Sequence, residues 1–267
     1  MLVGGCDVGS ATGKAVIMRD GEIISYEIIP STTKPEVTAR TVMDKALEKA
    51  GLSSITELDY IVGTGYGRLK VPFANENISE ITCHARGAQW VSPTVRTVVD
   101  IGGQDCKVVS LGENGKVLEF VMNDRCAAGT GRFFEAMARV LDCDLQGLSE
   151  LALQGKNAAT ISSQCSVFAE SEVITLVNEG MNLADIVAGL HASIASRLNS
   201  MVRKVGLTED VVLTGGCAKN DGLAKALQEK LGVTVKKLAI DPQIAGAIGA
   251  ALIAAERVSK QATKSRA

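Results

Sequence analysis

Asp7-Val8-Gly9-Ser10-Ala11-Thr12-Gly13-Lys14 is the stretch on which the reading of this chain turns. Its landmarks return later, where Asp100-Ile101-Gly102 precedes Lys107-Val108-Val109 as Asp7-Val8-Gly9 precedes Lys14-Ala15-Val16. The offset is 93 residues at both ends, without a gap. Each copy then runs through apolar residues to a turn, Arg19-Asp20-Gly21 or Glu113-Asn114-Gly115. Each resumes as an apolar-rich segment, residues 22–28 or 116–122. Three short strands joined by tight turns are therefore written twice.

Outward from these hairpins the period changes. Residues 35–50 place Val37, Val42, Met43, Ala46 and Leu47 at helical spacing and stop at Gly51. Residues 58–64 and 95–101 read as buried strands, and 132–141, 166–179 and 183–205 as helices. A strand over 211–214 enters a Gly-Gly turn, and helices follow over 222–231 and 245–258. Alternating strands and helices predict an α/β protein with covered sheets. Two copies predict two lobes, with the cleft between them as the natural ligand site. The expected boundaries are 1–92 for the first lobe and 93–240 for the second. Residues 241–267 are expected to form a C-terminal helix that packs back on the first lobe and ends in a frayed tail.

The chain has 267 residues, 46% hydrophobic and 22% charged, with a formal net charge of -2. That balance argues against nucleic acid as a partner, because phosphate backbones call for a basic surface. The N-terminus lacks a basic region followed by an apolar run, so no signal peptide is read. No stretch approaches the roughly 18 apolar residues of a membrane span. A cytoplasmic protein with no membrane partner is expected. Seven cysteines without a C-x-x-C pair fit neither a disulfide framework nor a zinc ribbon. Cys6, Cys106 and Cys217 read as small buried hydrophobes, with Cys83 and Cys143 similar. His84 and His191 read as helix-surface or packing residues rather than catalysts, and Trp90 as a packing residue.

Two glycine-bearing turns can close backbone N–H groups on phosphate oxygens. In the first, Asp7 can hold Mg²⁺ through water. In the second, Asp100-Ile101-Gly102-Gly103-Gln104-Asp105, Gln104 can orient an attacking water. A third loop, Leu213-Thr214-Gly215-Gly216-Cys217-Ala218-Lys219-Asn220, allows close approach of a base and ribose. None is a Walker A loop or a dinucleotide fingerprint. Together, and in this order, they resemble the superfamily of acetate kinase, sugar kinases, heat-shock chaperone ATPases and actin. The resemblance implies duplicated ribonuclease-H-like lobes with ATP or ADP and Mg²⁺ in the interlobe cleft. It assigns Asp7, Ser10, Ala11, Thr12, Gly13 and Lys14 to the first phosphate loop. It assigns Asp100, Gly102, Gly103 and Gln104 to the second, and Gly215 and Gly216 to the adenosine side, with Gln243 as a further nucleotide contact. Asp7, Asp100 and Gln104 are the implied catalytic residues.

Cys126 in Asn123-Asp124-Arg125-Cys126-Ala127-Ala128-Gly129-Thr130-Gly131-Arg132 and Cys165 in Ser162-Ser163-Gln164-Cys165-Ser166 each stand where a helix should begin. Helix N-termini stabilise anions, thiolates included. Ser162 or Ser163 can cap the second helix. One chain offers two thiolates; two chains about a twofold axis offer the four that a [4Fe–4S] cluster needs. These segments, with Thr64-Gly65-Tyr66-Gly67-Arg68, resemble the activator ATPases of 2-hydroxyacyl-CoA dehydratases and the ATPase subunits of benzoyl-CoA reductase. The resemblance implies a homodimer with one bridging [4Fe–4S] cluster on Cys126 and Cys165, and nucleotide contacts at Gly129, Thr130 and Gly131. It implies a ferredoxin or flavodoxin as electron donor and an iron–sulfur dehydratase or reductase as acceptor. Gln164 departs from the threonine expected beside the second cysteine. The alternatives are a sugar kinase of the same fold, for which no catalytic carboxylate is evident, and a non-catalytic regulatory ATPase.

Overall fold

The computed structural model describes residues 1–124, 126–127, 129–161 and 166–264. Cys165 and its neighbours Ser162, Ser163 and Gln164 lie outside the described residues, as do Arg125 and Ala128. The chain divides into two compact units, Met1–Pro93 with Leu111–Val117 and Leu238–Ala267, and Thr94–Ser110 with Leu118–Lys237.

The first unit begins with β1 (Leu2–Val8), β2 (Thr12–Arg19) and β3 (Glu22–Pro30). α1 (Pro35–Lys49) opens with proline, whose missing N–H falls where a helix has no use for it. It buries Ala39, Val42, Met43, Ala46 and Leu47 along one face. β4 (Tyr60–Thr64), β5 (Glu76–Asn77) and α2 (Glu80–Val91) follow. The sheet order is β3-β2-β1-β4-β5, antiparallel through β1 and parallel beyond it.

The second unit repeats the plan. β6 (Thr97–Ile101), β7 (Cys106–Leu111) and β8 (Val117–Asn123) lead into four helices, α3 (Gly131–Val140), α4 (Leu145–Gln154), α5 (Ser166–Asn178) and α6 (Leu183–Val205). β9 (Val211–Thr214), α7 (Asp221–Leu231) and β10 (Val235–Lys236) complete it. The order β8-β7-β6-β9-β10 is that of the first sheet, strand for strand. The register agrees as well: Asp7 pairs with Lys14, and Asp100 with Lys107. One apolar core, centred on Phe133, Phe134, Met137, Leu148, Ile186 and Leu190, fills this unit.

α8 (Ala245–Lys264) returns to the first unit and packs on β1, β4 and α2. Its backbone comes unusually close. A Cβ on Gly5 would stand 2.0 Å from the Ala247 carbonyl oxygen, and one on Gly249 would stand 1.8 Å from that of Cys83. Arg257 fixes the far end with two bonds to Glu76, of 2.7 and 2.9 Å, and Arg86 pairs with Glu256.

The helix pattern anticipated α1, α3, α5, α6, α7 and α8, but not α2 or α4. Both are short and carry an internal glycine, Gly87 and Gly147, and α2 buries mostly small residues that leave little periodic signal. α8 runs six residues past its expected end at 258, to Lys264. Trp90, expected to pack, is 40% exposed. Cys6, Cys83, Cys106 and Cys217 are buried as expected, whereas Cys143 is half-buried.

Candidate functional site

The two β-hairpins turn in the same way. Gly9 N–H donates to Thr12 O at 3.0 Å, and Gly102 N–H to Asp105 O at 2.9 Å, again 93 residues apart. These bonds pinch the turns so that Ser10 and Ala11, or Gly103 and Gln104, form the tips. Asp7 and Asp100 end the central strands, each 2% exposed. Next to each lies a threonine from the neighbouring parallel strand, Thr64 beside Asp7 and Thr214 beside Asp100. Each threonine is followed by a glycine of positive φ, Gly65 at 89° and Gly215 at 81°. A side chain there would be strained and would collide: a Cβ on Gly65 would stand 2.3 Å from Asp7 Oδ1, and one on Gly215 2.4 Å from the Ile101 carbonyl oxygen.

This Thr-Gly pair is the part of the site that sequence reading missed as a repeat. Thr64-Gly65 and Thr214-Gly215 are separated by 150 residues, not 93, because α3 to α6 are inserted between β8 and β9. A search at constant offset passes over them. His84 and Gly246 were missed for another reason: they meet Asp7 only through the packing of α2 and α8. A Cβ on Gly246 would stand 2.8 Å from both Asp7 Oδ2 and His84 Nε2.

Electrostatically the two aspartates differ. Lys107 Nζ lies 3.1 Å from Asp100 Oδ2 and 3.0 Å from Asp105 Oδ2, and Thr214 Oγ1 donates to Asp100 Oδ1 at 2.8 Å. Lys14 Nζ lies 3.3 Å from Asp7 Oδ2, outside hydrogen-bond geometry. Among the described residues, Asp7 Oδ2 and the Thr64 hydroxyl have no hydrogen-bond partner. An unpaired buried oxygen costs roughly 1–3 kcal/mol, so it is tolerated best where a ligand completes it.

The second hairpin also holds the segment that carries Cys126. Gly131 N–H donates to Gly102 O at 2.8 Å and Arg132 N–H to Gly103 O at 2.9 Å. The first donors of α3, which have no partner within the helix, are thus capped by the second hairpin turn itself. Gly129, at φ 92°, lets the chain swing back, and Thr130 N–H and Oγ1 both donate to Ala127 O. Gly129, Thr130 and Gly131 therefore sit against the second hairpin. Gly216 opens a short 3-10 turn whose Cys217 Sγ lies 3.7 Å from where a Gly131 Cβ would stand. Gln243 lies in the first unit, in the 3-10 turn before α8, where its N–H donates to Asp241 Oδ1.

A sequence profile described as the BadF/BadG/BcrA/BcrD ATPase family matches residues 5–254. The chain belongs to the BadF/BadG/BcrA/BcrD ATPase family. The activator of lactoyl-CoA dehydratase from Anaerotignum propionicum is 47% identical over 258 residues, covering 96% of this chain and 98% of the relative. The (R)-2-hydroxyglutaryl-CoA dehydratase activating ATPase of Acidaminococcus fermentans is 43% identical over 258 residues, with 96% and 98% covered. Among solved structures, the activator of 2-hydroxyisocaproyl-CoA dehydratase from Clostridium difficile with bound ADPNP superposes with a TM-score of 0.93 at 41% identity, covering 99% of this chain and 98% of that one. The fold of this family member is the duplicated ribonuclease-H-like one of the acetate kinase, sugar kinase, chaperone ATPase and actin superfamily.

In this ATPase, Cys126 is a free, half-buried cysteine in the connection between β8 and α3, three residues past the strand and five before the helix, and not at the helix start expected of it. Among the described residues no group of three or more His, Cys, Asp or Glu is arranged to hold a metal. The buried cysteines are held as thiols: burial pushes Cys83 and Cys217 up to about 12. Burial likewise raises Cys106 to about 11, although the Asn123 amide and Arg197 pull the other way. Along α5, Val173 is buried, while Val167, Phe168, Ile174 and Val177 are exposed. Among the described residues no helix is long and apolar enough to cross a membrane.

Proposed function

We propose that this chain is an ATP-driven, one-electron activator of an iron–sulfur dehydratase of the 2-hydroxyacyl-CoA type. The observation that carries the reading is the junction at Gly102 and Gly103. The same two peptide groups belong to a candidate phosphate turn and cap the helix that follows Cys126. A change in that turn between ATP and ADP is felt at Cys126 through two backbone hydrogen bonds. The relatives at 43% and 47% identity, named as dehydratase activators, support the same reading.

Asp7, Ser10, Ala11, Thr12, Gly13 and Lys14 are the phosphate-binding residues of the first hairpin. Asp100, Gly102, Gly103 and Gln104 are those of the second, with Gln104 exposed at its tip to orient water. Gly215, Gly216 and Gln243 meet the rest of the nucleotide. The buried Asp7 Oδ2, ion-paired with Lys14 at 3.3 Å but making no hydrogen bond, fits a hydrated Mg²⁺, which is held through its water shell. For the cluster, Cys126 and Cys165 from each of two copies are the ligands. On this side the structure offers a half-buried thiol whose own carbonyl is pinned by Asn123 Nδ2 at 2.9 Å. A [4Fe–4S] cluster bound there supplies one-electron transfer at low potential. The donor is a ferredoxin or flavodoxin, and the acceptor is the dehydratase's own iron–sulfur centre.

Anaerobic preparations should hold about two iron atoms per chain, one four-iron cluster being shared by two copies. Cys126→Ser and Cys165→Ser should each remove the iron while leaving nucleotide binding intact. Full iron in either variant defeats the ligand assignment. A colourless, air-stable protein that releases ADP on addition of a sugar would establish a kinase instead.

A further inference from the structure

Ser31, the first residue past β3, is bonded twice to the turn of the first hairpin. Its N–H donates to the Ala11 carbonyl oxygen at 2.9 Å, and its hydroxyl donates to the Gly9 carbonyl oxygen at 2.8 Å. One residue therefore holds two of the peptide groups in the turn. The C=O and N–H of a trans peptide point in opposite directions. With the Gly9 and Ala11 carbonyls drawn to Ser31, the N–H groups of Ser10 and Thr12 face away from it. Gly9 also lies beside the cation of the hairpin: a Cβ there would stand 2.9 Å from Lys14 Nζ.

The second hairpin repeats this restraint with a different donor. Gly102 stands 93 residues after Gly9, and its carbonyl oxygen accepts from Gly131 N–H at 2.8 Å. The same carbonyl is thus fixed from outside the hairpin in both copies, by main chain in the second and by a side chain in the first. The Ala11 bond is main-chain and does not depend on the side chain at 31. The hydroxyl's own task is the Gly9–Ser10 peptide, which glycine on one side leaves easy to rotate. We propose that Ser31 is a positioning residue for the first phosphate turn: its hydroxyl fixes the Gly9–Ser10 peptide so that the Ser10 N–H is presented to nucleotide phosphate. This rests on the reading of that turn as phosphate-binding, and the experiment separates the two. A donor fixed in advance does not have to be ordered when the ligand arrives, which favours affinity.

The test is the equilibrium affinity of the full chain for adenosine, ADP and a non-hydrolysable ATP analogue, with Mg²⁺ present. In Ser31→Ala, ADP and the analogue should bind about fivefold more weakly, as expected for the loss of one hydrogen bond. Adenosine, which carries no phosphate, should bind as it does to the wild type. Ser31→Thr keeps the hydroxyl and should restore both affinities. Should Ser31→Ala not fold, Ser31→Cys, close in size and a much weaker donor, takes its place. Lys14→Met, on the same hairpin, reports on the underlying reading and should also weaken ADP. If it does, while Ser31→Ala binds all three ligands as the wild type does, the proposal is overturned and the phosphate turn stands. Equal losses for adenosine and ADP, without rescue by threonine, overturn it too, because Ser31 would then be holding the fold. If Lys14→Met binds ADP as the wild type does, the turn is not the phosphate site and the proposal falls with that reading.

Discussion

The two hairpins share strand order, register and turn, and each pairs its aspartate with a lysine, yet one is fully hydrogen-bonded and the other is not. Around Asp100 the carboxylate, Lys107, Asp105 and Thr214 satisfy one another. Around Asp7 the same residue types leave one carboxylate oxygen and one hydroxyl buried without a hydrogen bond. Duplication supplied the framework twice; the unsatisfied copy is the one with coordinating capacity to offer a ligand. The satisfied copy is instead tied to the Cys126 segment. Under the proposed function the difference is a division of labour, with the ion held by one hairpin and the Cys126 segment tied to the other.

The largest effect expected from this comparison is on stability. Lys107→Met removes a cation that lies between two carboxylates and is 3% exposed. Leaving buried charge without its partner should cost about 3–5 kcal/mol. Lys14→Met, at the matching position, removes a single contact at 3.3 Å from a cation that lies nearer solvent, and should cost less than Lys107→Met. Urea denaturation of the two variants measures both, and equal losses would show that the hairpins are energetically alike.

A second pair of variants addresses the threonines, with nearly isosteric changes. Thr214→Val takes a donor from Asp100 and should cost about 1–3 kcal/mol. Thr64→Val removes a hydroxyl that makes no hydrogen bond of good geometry and whose neighbour is the Cys83 thiol, so stability should change little. Its effect should appear instead in the Mg²⁺ dependence of ATP hydrolysis, with a raised Mg²⁺ requirement. Unchanged hydrolysis in Thr64→Val, together with lost stability, would mean that this hydroxyl serves the fold and not the ligand.

The sequence made the doubled hairpin legible because register is local: Asp7 and Lys14 are seven residues apart and face each other across a tight turn. The Thr-Gly pairs were not legible as a repeat, since the inserted helices shift their spacing. Nor was the approach of His84 and Gly246 to Asp7, which depends on two helices packing through glycine contacts. Cys126 was legible as a residue of interest from its motif. Its coupling to Gly102 was not, because a backbone hydrogen bond between residues 29 apart leaves no pattern of side chains. Helices were found where apolar spacing was regular, and α2 was missed where small residues, Cys83, Ala85, Gly87 and Ala88, carry the packing.

The smallest effect concerns pH, and it tests whether the satisfied half is satisfied throughout. His191 on α6 contacts Val187 O through Nδ1 at 2.8 Å and Asn220 Nδ2 through Nε2 at 3.0 Å. A carbonyl only accepts, so Nδ1 carries the proton and Nε2 receives the amide's donation. The ring is therefore held neutral, against Phe134 at 5.0 Å between centroids. Asn220 in turn caps α7 through Leu223 N–H, just beyond the Gly215–Gly216 turn. Burial lowers the His191 pKa from its ordinary 6.5. The unfolded chain takes up this proton first as pH falls, so stability should decline below about pH 6.5 and be unaffected by this group above it. Protonation at Nε2 would set two donors face to face and release the α7 cap. His191→Gln should flatten the acid-side decline between pH 7 and 5.5 by up to about 1 kcal/mol, while lowering stability at neutral pH by a similar amount. Denaturant midpoints across that range provide the measurement. If wild type and variant decline in parallel, the neutral histidine is not what holds Asn220, and the α7 cap stands without it.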